Sequence, residues 1–247
     1  MSVDISGGVA AVGERITAAC IRSGRKTEEV RLMGVSKFQS REAAEAAWNA
    51  GIRLFGESRV QEATEKFEGF REEKPGTELH LIGTLQRNKA KAAVSLFDCV
   101  ESVDRDELIE ELGKLAVSQR PLGVLLELNA GESSKSGYRA EGDLFRGAEK
   151  LLARPNLVPR GLMIMAPYTD DAALIRRAFR SLVQVQGKLE TRFPEADWSC
   201  LSMGMSGDFE IAIEEGSTLV RIGTAIFGER RTGGSLTKGS LTGASLP

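Results

Sequence analysis

Lys37 closes the run Val30-Arg31-Leu32-Met33-Gly34-Val35-Ser36-Lys37. The run is short and rich in Val, Leu and Met, and polar Gln39-Ser40 follows it. It reads as a buried strand that hands over to a loop before a helix. In sheets wrapped by helices, that strand edge is where active sites are built. An amine held there against apolar surroundings has its pKa lowered and becomes a nucleophile toward aldehydes. Taken alone, a lysine at a strand end is a solvated residue. Two later stretches change the balance: Ser202-Met203-Gly204-Met205-Ser206-Gly207-Asp208 and Arg221-Ile222-Gly223-Thr224. Each follows an apolar run and combines glycine-freed backbone N–H groups with a hydroxyl, which suits a dianionic phosphate.

An amine for an aldehyde, a cup for a phosphate and an arginine donor together suit pyridoxal phosphate (PLP). On this reading Lys37 forms the Schiff base, Ser206, Gly223 and Thr224 hold the phosphate, and Arg221 faces the pyridine nitrogen. An arginine does not give up its proton, so it would leave that nitrogen unprotonated and the ring a poor electron sink.

These residues need elements to place them. Val12, Ile16, Ala19 and Cys20 form one apolar stripe, which predicts a helix over 3–23. Strands are predicted at 30–36, 52–57, 79–83, 99–103, 122–128, 158–165, 198–203 and 219–222. Helices fill the intervals: 41–50 capped by Ser40, 59–70, 85–95, one opened by an Asp104-Arg105-Asp106-Glu107 capping box, 141–153, 169–191, and 208–215 capped by Ser206. Eight strands alternating with helices predict a single (β/α)8 TIM-type barrel of the α/β class, with an extra N-terminal helix. Neither a GxGxxG after the first strand nor a P-loop favours the alternative, an open doubly wound sheet. The barrel is expected over 1–230, with a disordered Gly/Ser/Thr-rich tail over 231–247.

Composition narrows the partners. A net charge of −2 from 33 basic and 35 acidic side chains argues against nucleic acid or anionic membrane as a partner. No apolar run reaches transmembrane length and no secretory signal is visible, so the expectation is a cytoplasmic protein. Cys20, Cys99 and Cys200 are odd in number and far apart, which fits a reducing compartment. A single histidine, His80, nearly excludes a histidine-based metal site or a Ser-His-Asp triad, and within an apolar strand it reads as a hydrogen-bonded core residue.

Several motifs resemble one family. They include Val35-Ser36-Lys37, Phe55-Gly56-Glu57 with Val60-Gln61-Glu62, and His80-Leu81-Ile82-Gly83 with Leu85-Gln86 and Asn88-Lys89. Further along come Glu132-Ser133-Ser134-Lys135-Ser136-Gly137, Ser202-Met203-Gly204-Met205-Ser206 and Val220-Arg221-Ile222-Gly223-Thr224-Ala225-Ile226-Phe227-Gly228. From about residue 9 to residue 230 the chain resembles the YggS/PROSC family of PLP homeostasis proteins, related to the N-terminal barrel of alanine racemase. The resemblance implies PLP on Lys37, phosphate contacts from Ser206, Gly223 and Thr224, Arg221 at the pyridine nitrogen and Met203 lining the cofactor. Two departures stand out. Ser58 replaces the family's usual Asn, is shorter, and is expected to lose a contact to the ring. Phe38 replaces the usual Thr and is expected to crowd or cover the site.

The resemblance also implies a carrier or buffer of PLP, with influence on amino-acid and keto-acid balance, no assigned catalytic residue and no metal. The expectation is a monomer, with PLP-dependent apo-enzymes as recipients. A weak PLP-dependent enzyme such as an amino-acid racemase is the second reading, with Tyr168 as its base. A barrel that binds another phosphorylated ligand is the third.

Overall fold

A computed structural model describes residues 3–132 and 135–229. The expected tail over 231–247, and Ser133 and Ser134 of the Glu132–Gly137 motif, lie outside the described residues. Eight parallel strands close into a barrel in chain order: β1 (Arg31–Val35), β2 (Leu54–Glu57), β3 (Glu78–Leu81), β4 (Cys99–Val103), β5 (Leu122–Leu128), β6 (Leu157–Ile164), β7 (Cys200–Ser202) and β8 (Leu219–Ile222). The barrel closes where β1 pairs with β8, Met33 opposite Arg221 and Gly34 opposite Ile222. The expected (β/α)8 architecture is therefore the observed one.

The helices are α1 (Ile5–Arg22), α2 (Arg41–Asn49), α3 (Val60–Phe67), α4 (Phe70–Glu73), α5 (Ala90–Leu96), α6 (Asp106–Leu115), α7 (Glu141–Leu152), α8 (Ala172–Arg192), α9 (Phe209–Glu214) and α10 (Thr224–Phe227). Strand residues alternate between two faces. One set, including Phe55, Leu79, Leu81, Val100, Leu126 and Val220, packs with the helices in a continuous buried layer. The other set fills the barrel interior, with Met33, Val35, Leu54 and Leu219 in one cluster and Cys99, Leu125 and Met163 in another. Both faces are buried, which is why the strands read as near-continuous apolar runs.

α1 buries Val12, Ile16, Ala19 and Cys20, the stripe expected from spacing. It lies so close to α10 that a Cβ at Gly8 would sit 2.9 Å from the Ile226 carbonyl oxygen. The N-terminal helix thus braces the turn that carries Thr224.

Several boundaries differ from expectation for local reasons. Gly69 adopts a left-handed conformation (φ 67°) and splits the expected helix over 59–70 into α3 and α4. The Asp104–Glu107 capping box does not form: Arg105 is the N-cap of α6 and Asp104 pairs with Arg105 instead. Pro159 lies inside β6, where the pairing with β5 steps from Val124–Pro159 to Leu125–Gly161 and leaves Arg160 as the extra residue of a bulge. No helix among the described residues is long and apolar enough to cross a membrane.

Candidate active-site mouth

Lys37 is half-buried one residue beyond Ser36, just past the end of β1. The backbone on both sides of it is tied down. Ser36 donates its hydroxyl to Glu57 Oε1 at 2.6 Å, and its carbonyl accepts from Lys66 Nζ at 2.5 Å. Lys66 also pairs with Glu57 at 2.8 Å and Glu62 at 3.1 Å. Glu62 in turn accepts the backbone N–H of Phe38. Glu57 is fully buried, and burial raises its carboxyl pKa even though Lys66 and Ser36 oppose the shift.

The loops after β7 and β8 meet beside this lysine. Ser206 was expected to cap α9, but Asp208 occupies the N-cap, and Ser206 Oγ accepts the backbone N–H of Ala225 at 3.3 Å. The Arg221 N–H donates to the Gly204 carbonyl at 2.9 Å. A Cβ at Gly223 would lie 3.3 Å from the Val35 carbonyl oxygen, so the β8 turn lies against the end of β1. Lys37, Ser206, Gly223 and Thr224 thus share one end of the barrel. Ser58 follows β2 at the same end, half-buried, and lines a cleft of about 440 Å³ with Arg59, Gln61, Thr84, Gln86 and Lys89.

Two expected positions are changed by the structure. Met203 belongs to the buried layer between strands and helices, out of phase with inward-facing Cys200 and Ser202. Phe38 does not cover the mouth: it is 48% exposed at φ 64°, with the Arg59 guanidinium 5.3 Å from its ring centre.

The barrel interior holds a polar chain that no local pattern announced. Arg221 is buried; its two terminal nitrogens donate to Ser202 Oγ at 2.7 Å and to the Ile164 carbonyl at 3.0 Å. Ser202 Oγ lies 2.5 Å from Glu101 Oε2. His80 lies between Glu101 (2.6 Å to Nδ1) and Glu78 (2.7 Å to Nε2). Burial alone would lower the His80 pKa, but the two carboxylates outweigh it and raise it to about 9. Hydrogen bonding to His80 holds Glu78 down at about 2. Burial would raise Glu101, but His80, Arg221 and Ser202 more than offset it, so it lies below the usual carboxylate range. The core reading of His80 holds, with a charge that the apolar context hid.

Glu127, inward-facing on β5, was also missed. It accepts from Ser136 Oγ at 2.8 Å, its Oε2 is buried without a hydrogen-bond partner, and burial raises its pKa to about 7. The available signal was an acid inside an otherwise apolar strand, in Cys99-Val100-Glu101-Ser102-Val103 and again in Leu125-Leu126-Glu127-Leu128. A cleft of about 770 Å³ opens at the opposite, N-terminal end, lined by Arg31, Glu78, His80, Cys99 and Cys200 among others. Several of its charged groups are engaged with one another, as in Arg31–Glu78 at 2.5 Å and Arg160–Asp197 at 3.8 Å. In this fold the chemistry belongs at the other end.

A closed parallel barrel with a lysine after its first strand and an arginine ending its last defines a particular class of barrel. Residues 17–231 match the family model described as alanine racemase, N-terminal domain. A PLP homeostasis protein from Vibrio cholerae is 43% identical over 220 residues, 87% of this chain and 92% of that one. A solved structure of an unknown protein from Bifidobacterium adolescentis has a TM-score of 0.84 at 36% identity, covering 92% of this chain and 98% of that one. PipY from Synechococcus elongatus, solved with PLP bound, has a TM-score of 0.76 at 34% identity, covering 88% of this chain and 100% of that one. The chain belongs to the YggS/PROSC family of PLP homeostasis proteins, within the alanine racemase N-terminal-domain barrels.

Proposed function

We propose that this chain binds PLP and serves its intracellular homeostasis, holding the cofactor as a Schiff base on Lys37 and yielding it to PLP-dependent apo-enzymes. The carrying observation is the approach of Gly223 to Val35, 3.3 Å for a built Cβ, which sets the hydroxyl-bearing turn after β8 beside the amine after β1. The residues present fit the group: an amine for the aldehyde, Ser206 and Thr224 hydroxyls with adjacent backbone N–H groups for the phosphate, and Arg221 for the ring nitrogen. PipY, solved with PLP bound, supports the same reading. Bound PLP would supply an electrophilic aldehyde carbon, and the Lys37 amine would be the group that holds it.

Carriage is favoured over racemisation by the state of the tyrosines. Tyr168 is fully exposed beyond β6. Tyr138 is buried, donates to Asp106 at 3.2 Å, and has its pKa raised by burial. Tyr138 is thus committed to Asp106, and the fully exposed Tyr168 ring is held by no packing. Arg221 can only donate, so the ring nitrogen stays unprotonated and carbanion chemistry is weak. The protein acts as a cytoplasmic monomer.

The test is the visible spectrum of the protein with PLP. Wild type is expected to give a yellow band that borohydride fixes as a mass adduct on Lys37, and Lys37→Ala is expected to give neither. A wild type with no band overturns the assignment, and phosphate binding indifferent to Lys37→Ala favours a site for another phosphorylated ligand.

A further inference from the structure

We propose that Glu101 and His80, acting through Ser202, are positioning residues for Arg221, so that the lower half of the barrel interior sets the hydrogen bond offered to the bound ring. The inference rests on the PLP reading above. It stands on the direction of every link in the buried chain. Arginine has no acceptor, so at the Arg221–Ser202 contact of 2.7 Å the serine oxygen accepts. Its single hydroxyl proton is then left for Glu101 Oε2 at 2.5 Å. Glu101 must therefore be an acceptor at that oxygen. Its other oxygen faces His80 Nδ1 at 2.6 Å, while Nε2 faces the Glu78 carboxylate at 2.7 Å. An imidazole between two carboxylates donates from both nitrogens, so it carries the charge that balances Glu101. The Arg221–Ser202 and Ser202–Glu101 links cannot be reversed without leaving a buried donor facing a donor.

The consequence falls on Arg221. Two of its donors are committed to Ser202 and to the Ile164 carbonyl. The guanidinium plane is thereby fixed, and its uncommitted N–H groups are left for a ligand. Truncating Ser202 keeps every charge in place and removes only the connection. His80 is the sole histidine, so its imidazole signals report the far end of the chain without ambiguity.

The experiment uses the full-length protein with added PLP, as wild type, Ser202→Ala, Ser202→Thr and Glu101→Gln. Three quantities are read: PLP affinity by titration, the position of the visible band, and the ring-nitrogen NMR signals of His80 before and after PLP. Ser202→Ala is expected to keep the borohydride-fixed adduct on Lys37, to weaken PLP about tenfold, to move the band, and to abolish the shift of the His80 signals that PLP causes in wild type. Ser202→Thr, which keeps the hydroxyl, restores all three. If Ser202→Ala does not fold, Glu101→Gln carries the test with the same expected affinity loss and band shift. A folded Ser202→Ala with wild-type affinity, band and His80 response overturns the positioning role. A wild type with no adduct overturns the PLP reading itself.

Discussion

The Lys66 ammonium lies 2.5 Å from the Ser36 carbonyl, one residue before Lys37, and 2.8 Å from buried Glu57. A lysine on α3 therefore anchors the backbone that presents Lys37. Removing it leaves Glu57 buried and uncompensated. Lys66→Met is expected to cost roughly 3–5 kcal/mol, the range for breaking one partner of a buried pair. The double variant Glu57→Gln/Lys66→Met recovers most of that stability without recovering PLP affinity, since the Ser36 carbonyl stays untethered. Denaturant unfolding and PLP titration of both variants check this.

The charged His80 predicts a pH dependence of stability. Its pKa is raised from 6.5 to about 9, so the folded state holds the proton more tightly than the unfolded chain. Its contribution is fully present below pH 6.5 and is lost as pH rises through 9, on the order of 3 kcal/mol at most. Glu78 behaves oppositely: its contribution is present above pH 4.5 and is lost as pH falls through about 2. Thermal unfolding followed between pH 6 and 10 is expected to fall in wild type. In His80→Gln the fall is expected to flatten from a lower starting stability.

Glu127 is the complementary case. A carboxyl raised to about 7 favours the protonated folded state, so stability falls as pH rises from 4.5 through 7. Glu127→Gln removes that titration. The variant is expected to match wild type near pH 4.5 and to exceed it by on the order of 3 kcal/mol at most at pH 8. Equal slopes for the two proteins in this interval would show that Glu127 stays ionised.

Phe38 carries backbone strain next to Lys37. A non-glycine residue at φ 64° costs about 1 kcal/mol, least for Asn. Its ring is 48% exposed and contributes little burial to offset that. Phe38→Asn is expected to stabilise the fold by about 0.5–1 kcal/mol and to leave PLP affinity within about twofold, as measured by thermal unfolding and titration.

How far these sites were legible follows from the range of the forces involved. Lys37, Ser206, Gly223 and Thr224 stand at strand ends, and strand ends follow from period and composition, which are local. The polar chain through Glu101 and Ser202 was not legible. Its members lie on β4 and β7, which do not pair with each other, and meet only across the barrel axis. Met203 went astray by one residue of alternation: β7 ends at Ser202, and its phase turns Met203 to the helices. Ser206 carried a local capping signal that a longer-range contact with Ala225 overrode.

The turn after β8 offers the sharpest separation of site from scaffold. Gly223 has an ordinary negative φ of −111°, so the reason for a glycine there is space and not backbone freedom. A methyl group would lie 3.3 Å from the Val35 carbonyl oxygen, tighter than ordinary contact, and 3.5 Å from the Val35 Cβ, an ordinary contact. Gly223→Ala must open the gap between the two turns by a few tenths of an ångström, with Lys37 on one side and Thr224 on the other. A ligand spanning both feels that displacement more than the core does. The expected outcome is a stability loss near 1 kcal/mol and at least about a tenfold loss in PLP affinity, with the borohydride adduct still formed at saturating PLP. Equal losses in stability and binding would instead mark Gly223 as a packing residue only.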